Sequence, residues 1–327
     1  VQKKYICNGG RKMTIGSFLK FVEIQTKVAS VIPFILGSLY AFYRYESFKL
    51  SNFIVMFISL ICFDMATTAI NNYIDFKKAI KKQGFGYEHH NAMVKDGIRE
   101  NTAVGIIFTL LIIASFFGVL LTIKTSLVVL LIGIISFGIG IFYTFGPIPI
   151  SRMPLGEAFS GFFMGFIILF LSIFIHVYDK NIAYLTYTNN ILSLSVNILE
   201  MLRIFLLSIP TIGAIANIML ANNTCDLEED IVNQRFTLVY YIGKNNSLKL
   251  FAFLYYIGYA AIIASVALRI APPVLLLVLL TLVPVYNNIK KFTGNPVKSQ
   301  TFILSVKSMV VMNIAQILAI AVAIALK

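Results

Sequence analysis

The chain has 327 residues, 58% of them hydrophobic and 13% charged, with a mean hydropathy of +0.85 and a formal net charge of +13. These values exclude an ordinary soluble domain and place the chain in a bilayer. The surplus of positive charge calls for no nucleic acid, because membrane topology and attraction to anionic lipid account for it.

A hydrocarbon core of about 30 Å needs roughly 20 apolar residues per helix. Such stretches run over 17–43, 50–75, 101–122, 126–143, 157–177, 196–222, 247–268, 271–288 and 305–326, so the predicted fold is an all-α membrane protein with nine transmembrane helices. The third and fourth helices meet at a very short turn around Lys124, and the seventh and eighth at Arg269 to Pro273. Residues 1–16 read as a basic N-terminal segment and 17–327 as a single transmembrane domain. Residues 1–12 carry no apolar stretch with a cleavage site and do not read as a signal peptide. The sequence GGRKM fits a ribosome-binding site translated in frame, which makes Met13 a candidate start. Cys7, Cys62 and Cys225 have neither metal nor disulfide spacing.

Lys and Arg in alternate loops set the orientation. The N-terminal segment, the second-to-third loop (Lys77, Lys78, Lys81, Lys82, Lys95, Arg99), Arg152, Arg235 with Lys244, and Lys290, Lys291 and Lys298 supply 17 positive charges, against 6 from Arg44, Lys49, Lys124, Lys180, Arg269 and Lys327. The N-terminus is therefore predicted to be cytoplasmic and the C-terminus outside, in the cell membrane.

Two predicted helices end alike. NNYIDFKK begins at Asn71 and NNTCDLEED at Asn222, each closing a span of similar length on the same predicted side, which reads as an internal repeat. Residues four apart share a helix face, so Asn71 points with Asp75, and Asp226 with Asp230. Carboxylates at a helix C-terminus face the negative end of the macrodipole. Glu228 and Glu229 add to the crowding, so a compensating cation is expected. Mg²⁺ takes one or two carboxylates together with phosphate oxygens and water. Two such helix ends facing one another would hold a diphosphate between metal ions, with Lys and Arg taking the remaining charge.

These motifs resemble the UbiA superfamily of intramembrane aromatic prenyltransferases, over the chain from about Phe18 to its end. TTAINNYIDFKK resembles that family's first aspartate-rich motif, which implies Asn71 and Asp75 as metal ligands. NNTCDLEEDIVNQRFTLVYYIGK resembles the second, which implies Asp226 and Asp230 as ligands and Arg235 as the basic position that meets phosphate. YTFGPIPISRMPLGE is similar to a segment of the 1,4-dihydroxy-2-naphthoate polyprenyltransferase branch, which implies menaquinone biosynthesis. There are departures. Asn72 stands where the first motif often has aspartate, and its later aspartate falls among Ala79, Ile80 and Lys81. Cys225 replaces an arginine, and Asn91 stands where another is expected. Glu88 or Asp96, with His89 and His90 nearby, are candidates to fill the gap.

The resemblance implies Mg²⁺-dependent transfer from a polyprenyl diphosphate to an aromatic acid, with loss of the carboxyl group if the acceptor is the naphthoate. Lys77 and Lys78 join Arg235 as candidate phosphate contacts. Tyr143 ends a span at the level of the motifs, where its ring can stabilise an allylic cation by about 0.5–2 kcal/mol. Arg152 is a candidate for the acceptor's carboxylate and Glu157 for orienting the acceptor or taking a proton. Asp64 shares a stripe with Asn71 and Asp75, about 16 Å of helical rise from Asp75, and either binds acceptor or meets a hydroxyl such as Thr67 or Thr68. Lys27 either pairs with Glu23 four residues before it or approaches an anionic substrate. Glu200 and Arg203 are expected to pair locally. Alternatives are a prenyltransferase for 4-hydroxybenzoate or homogentisate, a secondary transporter, or a non-catalytic quinone-binding relative.

Overall fold

The computed structural model describes residues 13–78, 91–145 and 149–327. Among them nine helices are long and apolar enough to cross a membrane: Ile24–Tyr45, Leu50–Lys77, Glu100–Lys124, Leu127–Thr144, Gly156–Val177, Ile198–Cys225, Lys244–Ala267, Pro273–Gly294 and Phe302–Ala325. They are called spans 1 to 9. A span is helical because hydrocarbon leaves its backbone no partner but itself. Lipid gives helices no hydrophobic reason to associate, so small residues and polar cross-links hold them together. A Cβ at Gly37 of span 1 would come within 2.5 Å of the Leu169 carbonyl oxygen, and one at Gly165 of span 5 within 2.6 Å of Ile212 Cα. Ser59 Oγ donates to the Ala114 carbonyl at 2.8 Å, Asn217 Nδ2 to Phe251 at 2.9 Å and Tyr255 Oη to Ser305 at 3.0 Å.

Packing follows the repeat. Span 2, which carries the first motif, packs most extensively on span 3, and span 6, which carries the second, packs extensively on both span 5 and span 7. Spans 1 and 5 lead the two halves and pack on each other. Span 9 lies against spans 1, 6 and 8. The main core draws on Phe34, Tyr40, Phe170, Phe174, Phe251 and Tyr255.

Four local features depart from the sequence reading. The predicted first helix breaks: a short helix over Ile15–Phe21 ends before Glu23, whose φ is 48°, and a 3-10 turn over Ile24–Lys27 opens span 1. Span 5 is wound as a π-helix over Gly161–Ile167, where its two glycines let it sit against Ile212 of span 6. Span 8 begins as a 3-10 helix over Pro273–Thr281. Between spans 5 and 6 the chain forms an antiparallel hairpin, β1 (Ala183–Thr188) and β2 (Ile191–Val196).

Candidate active site

Asn71 of span 2 and Asn222 of span 6 open on the same cavity, about 630 Å³ in volume and lined by spans 1 to 6 and Phe302. Its wall on span 2 runs from Met56 to Asn71, a helical rise of about 22 Å. Most of the wall is apolar. Polar side chains come from several spans, and among them Glu23, just before span 1, Ser30 of span 1, and Asp64, Thr67 and Thr68 of span 2 line the cavity.

The acidic side chains of the motifs follow these asparagines along the chain, beyond the cavity lining. Asp75 lies 3.9 Å from Arg152 Nη2. Asp226 closes span 6 and pairs with Lys298 from the loop before span 9. Asp230 is 4% exposed on the short helix Leu227–Val232, with Arg235 Nε 3.4 Å away. Two backbone hydrogen bonds fix this arrangement: Arg235 N–H donates to the Asp230 carbonyl at 2.8 Å and Phe236 N–H to the Arg152 carbonyl at 3.1 Å. The second stitches the connection after span 4 to the one after span 6. Both motifs act on Glu229, whose carboxyl is pushed up by burial and then by the negative charges of Asp226 and Asp75. Burial pushes Asp230 up to about 7; Arg235 opposes the shift and Asp226 adds to it.

Asn71 Oδ1 accepts from Thr144 Oγ at 3.2 Å, which ties the first motif to the end of span 4. Tyr143 lines the cavity one residue earlier, its hydroxyl donating to the Gly156 carbonyl at 3.4 Å. Glu157 is buried and accepts from Asn223 Nδ2 at 2.8 Å, so it braces span 6 just before Asp226 and is absent from the cavity lining.

Among the described residues, no three His, Cys, Asp or Glu side chains converge closely enough to hold a metal by themselves. The donor set nevertheless fits Mg²⁺, which needs only one or two carboxylates when phosphate and water supply the rest. Asp230 Oδ2 is buried with no hydrogen-bond partner. Burial disfavours the charged form of that carboxylate, a penalty that a bound divalent ion would relieve.

Lys27 does not pair with Glu23. The left-handed turn at Glu23 removes the helical spacing the pairing needs, and Lys27 Nζ reaches Asp64 Oδ1 at 2.6 Å and Thr68 Oγ at 2.6 Å. The hydroxyl that meets the Asp64 carboxylate is Ser30, at 2.5 Å, while Thr67 and Thr68 donate to the Asp64 backbone carbonyl. Glu23 accepts instead from Asn72 Nδ2 at 3.1 Å. Asn72 is thereby turned from the cavity and does not replace the missing aspartate. Lys77 is half exposed and pairs with Glu100 at 2.5 Å, apart from the cavity wall. Lys78 ends the helix at the limit of the described residues, and Ala79, Ile80, Lys81, Lys82, Glu88, His89 and His90 lie outside them. Asp96 pairs with Lys20 at 3.5 Å. Asn91 caps the helix Ala92–Lys95 and donates to the Asn72 carbonyl at 2.9 Å, a structural role. Glu200 and Arg203 do pair, and Arg44 and Tyr45 converge on the same carboxylate. The partner missed in the sequence is Lys298, which no local spacing connects to Asp226.

The family model described as UbiA prenyltransferase family matches residues 30–313. The 1,4-dihydroxy-2-naphthoate octaprenyltransferase of Bacillus subtilis (strain 168) is 29% identical over 289 residues, 87% of this chain and 85% of that protein. Among solved structures, the apo structure of a UbiA homolog from Aeropyrum pernix K1 aligns with a TM-score of 0.68 at 18% identity, over 90% of this chain and 98% of that one. A UbiA homolog from Archaeoglobus fulgidus bound to GPP and Mg²⁺ aligns with a TM-score of 0.58 at 13% identity, over 94% and 99%.

Proposed function

Because the chain belongs to the UbiA prenyltransferase family, we propose that it transfers a polyprenyl group from polyprenyl diphosphate to 1,4-dihydroxy-2-naphthoate, in menaquinone biosynthesis. One observation carries this reading: both asparagine–aspartate helix ends open on a single apolar cavity, and the carboxylates that follow are each held by their own cation. The naphthoate is favoured by the Bacillus relative, whose name specifies it. A transporter fits less well, because spans 2 and 6 run unbroken up to their motifs and the acidic cluster sits at helix ends, not at the midplane.

The reaction breaks the allylic C1–O bond, its electron pair leaving with diphosphate. A ring carbon of the acceptor then gives a π pair to C1, and departure of the carboxyl as carbon dioxide returns a pair to the ring. Mg²⁺, when bound, supplies fixed positive charge where negative charge develops on the leaving group. Asn71, Asp75, Asp226 and Asp230 are the side chains that would hold it. Arg152, Arg235 and Lys298 are already ion-paired there and would turn from carboxylate to phosphate as the diphosphate enters. Tyr143 lines the cavity beside Asn71 and Thr144, where its ring can face the allylic cation. The wall formed by Ser30, Asp64, Thr67 and Thr68, with Lys27 behind it, offers polar contacts for the acceptor's oxygens in a surface that otherwise suits a prenyl tail. Glu157 positions span 6 through Asn223. The motif-bearing ends face the cytoplasm in this reading, with the N-terminus inside and the C-terminus outside.

The test is incubation of membranes with the naphthoate, a polyprenyl diphosphate and Mg²⁺, comparing wild type with Asp75→Ala and Asp226→Ala. Product should fall sharply in both variants. Equal product from all three proteins would remove these carboxylates from the mechanism.

A further inference from the structure

The connection between spans 5 and 6 is long enough to leave the bundle and does so as the hairpin Ala183–Val196. Its register pairs Ala183 with Val196, Leu185 with Leu194 and Tyr187 with Leu192, which puts six apolar side chains on one face. The alternate pairs, Tyr184 with Ser195, Thr186 with Ser193 and Thr188 with Ile191, give the other face four hydroxyl side chains from Ser and Thr. Asn189 and Asn190, with φ of 51° and 63°, close a tight turn suited to the right-handed twist of two strands. At its root the apolar face is covered: Ala183 is buried, and Leu185 and Val196 pack on the main core. Towards the tip no described residue covers it. Tyr187 is 66% exposed, Leu192 64% and Leu194 54%.

We propose that this hairpin is an interfacial lipid anchor, lying at the membrane surface opposite the acidic motifs with its apolar face on acyl chains and its hydroxyl face in water. Its height is fixed by its attachments, since it follows the end of span 5 and its last strand ends two residues before span 6 begins. β1 also packs against span 4. The uncovered face is continuous with lipid-facing surface, because Ile198, Leu199 and Leu202 on the first turns of span 6 are themselves exposed. Between Lys180 and Glu200 there is no charged residue, as entry into the headgroup boundary requires. Tyr187, on the apolar face, is of the type that settles at that boundary.

The chain contains no tryptophan, so one introduced indole reports alone. Full-length Tyr187→Trp, Leu192→Trp and Ser193→Trp proteins would be reconstituted in phosphatidylcholine vesicles carrying a nitroxide shallow on the acyl chain, with retained prenyl transfer as the check of folding. The indoles at 187 and 192 should be quenched several-fold more strongly by the nitroxide lipid than the one at 193, and acrylamide should show the reverse order. The second apolar-face variant keeps the test intact if replacing Tyr187, whose hydroxyl donates to Asn190 Oδ1 at 3.0 Å, disturbs the turn. Equal acrylamide quenching at the three positions would place the hairpin in water and overturn the proposal. Shielding of 187 and 192 from both quenchers would mean that protein covers the face, which overturns it as well.

Discussion

Asp64→Asn should destabilise the protein far more than an isosteric polar change normally does. Lys27 and Asp64 have side chains 5% and 12% exposed and meet at 2.6 Å in the bundle, so removing the carboxylate charge strands an ammonium among apolar helices. Breaking one side of a buried pair costs about 3–5 kcal/mol, whereas replacing both members by apolar groups of similar size is close to neutral. Ser30→Ala, which removes the 2.5 Å hydrogen bond to the other carboxylate oxygen, should cost about 1.5–3 kcal/mol. The informative comparison is the double-mutant cycle of Lys27→Met and Asp64→Leu, followed by equilibrium unfolding in mixed detergent micelles. Each single variant should fall in the 3–5 kcal/mol range of about that size, and the double variant should recover most of the loss. The folded double variant, assayed for prenyl transfer, should show a raised KM for the aromatic acceptor with an unchanged KM for the diphosphate. Additive single costs would refute the reasoning, since they would mean that the two groups are solvated separately. An unchanged acceptor KM would reduce the pair to a structural clamp.

Further outcomes follow from the acidic side chains of the motifs. Asp230 titrates near 7 in the folded protein against an ordinary 3.8, so the metal-free fold holds this proton tightly and loses that stabilisation as pH rises from about 4 through 7. Mg²⁺ must displace the same proton, so apparent Mg²⁺ affinity measured by calorimetry should fall roughly tenfold per pH unit below 7 and level off above it. Asp230→Asn should flatten that profile. Lys298→Ala should shift stability by less than about 1 kcal/mol, because the lysine is 40% exposed, while lowering kcat/KM for the diphosphate roughly tenfold or more if its charge moves onto phosphate. An unchanged kcat/KM would leave Lys298 a topology charge. Gly165→Ala should cost about 1–3 kcal/mol in thermal unfolding, because the new Cβ meets the Ile212 backbone, whereas Gly105→Ala, with open space around it, should be neutral or slightly stabilising.

The nine spans were legible because length and uniform apolarity alone mark a crossing helix, and none of that depends on distant contacts. What failed were places where tertiary context overrides a local rule. Glu23 and Lys27 have helical spacing in sequence, but a left-handed residue between the short first helix and span 1 sends them to different partners. The π-wound start of span 5 depends on two glycines meeting Ile212, a contact no periodicity contains. The hairpin had a signal: AYLTYTNNILSLSV alternates on both sides of an Asn-Asn turn. In the site, the metal-type residues could be named from their repeat. Arg235 could be named as well, five residues after Asp230, but the pairings of Asp75 with Arg152 and Asp226 with Lys298 could not, because those cations come from distant connections.

The two halves of the repeat have not kept equal roles. In the first, Asn72 has turned away to Phe21 and Glu23, Asn71 is held by Thr144, and Asp75 lies at a long 3.9 Å from Arg152. In the second, Asp230 is buried, lacks a partner on one oxygen and is pushed towards neutrality, while Asp226 is tightly paired. A carboxylate kept buried at such electrostatic cost is stable only if a cation regularly relieves it. The second half is therefore the stronger candidate metal seat.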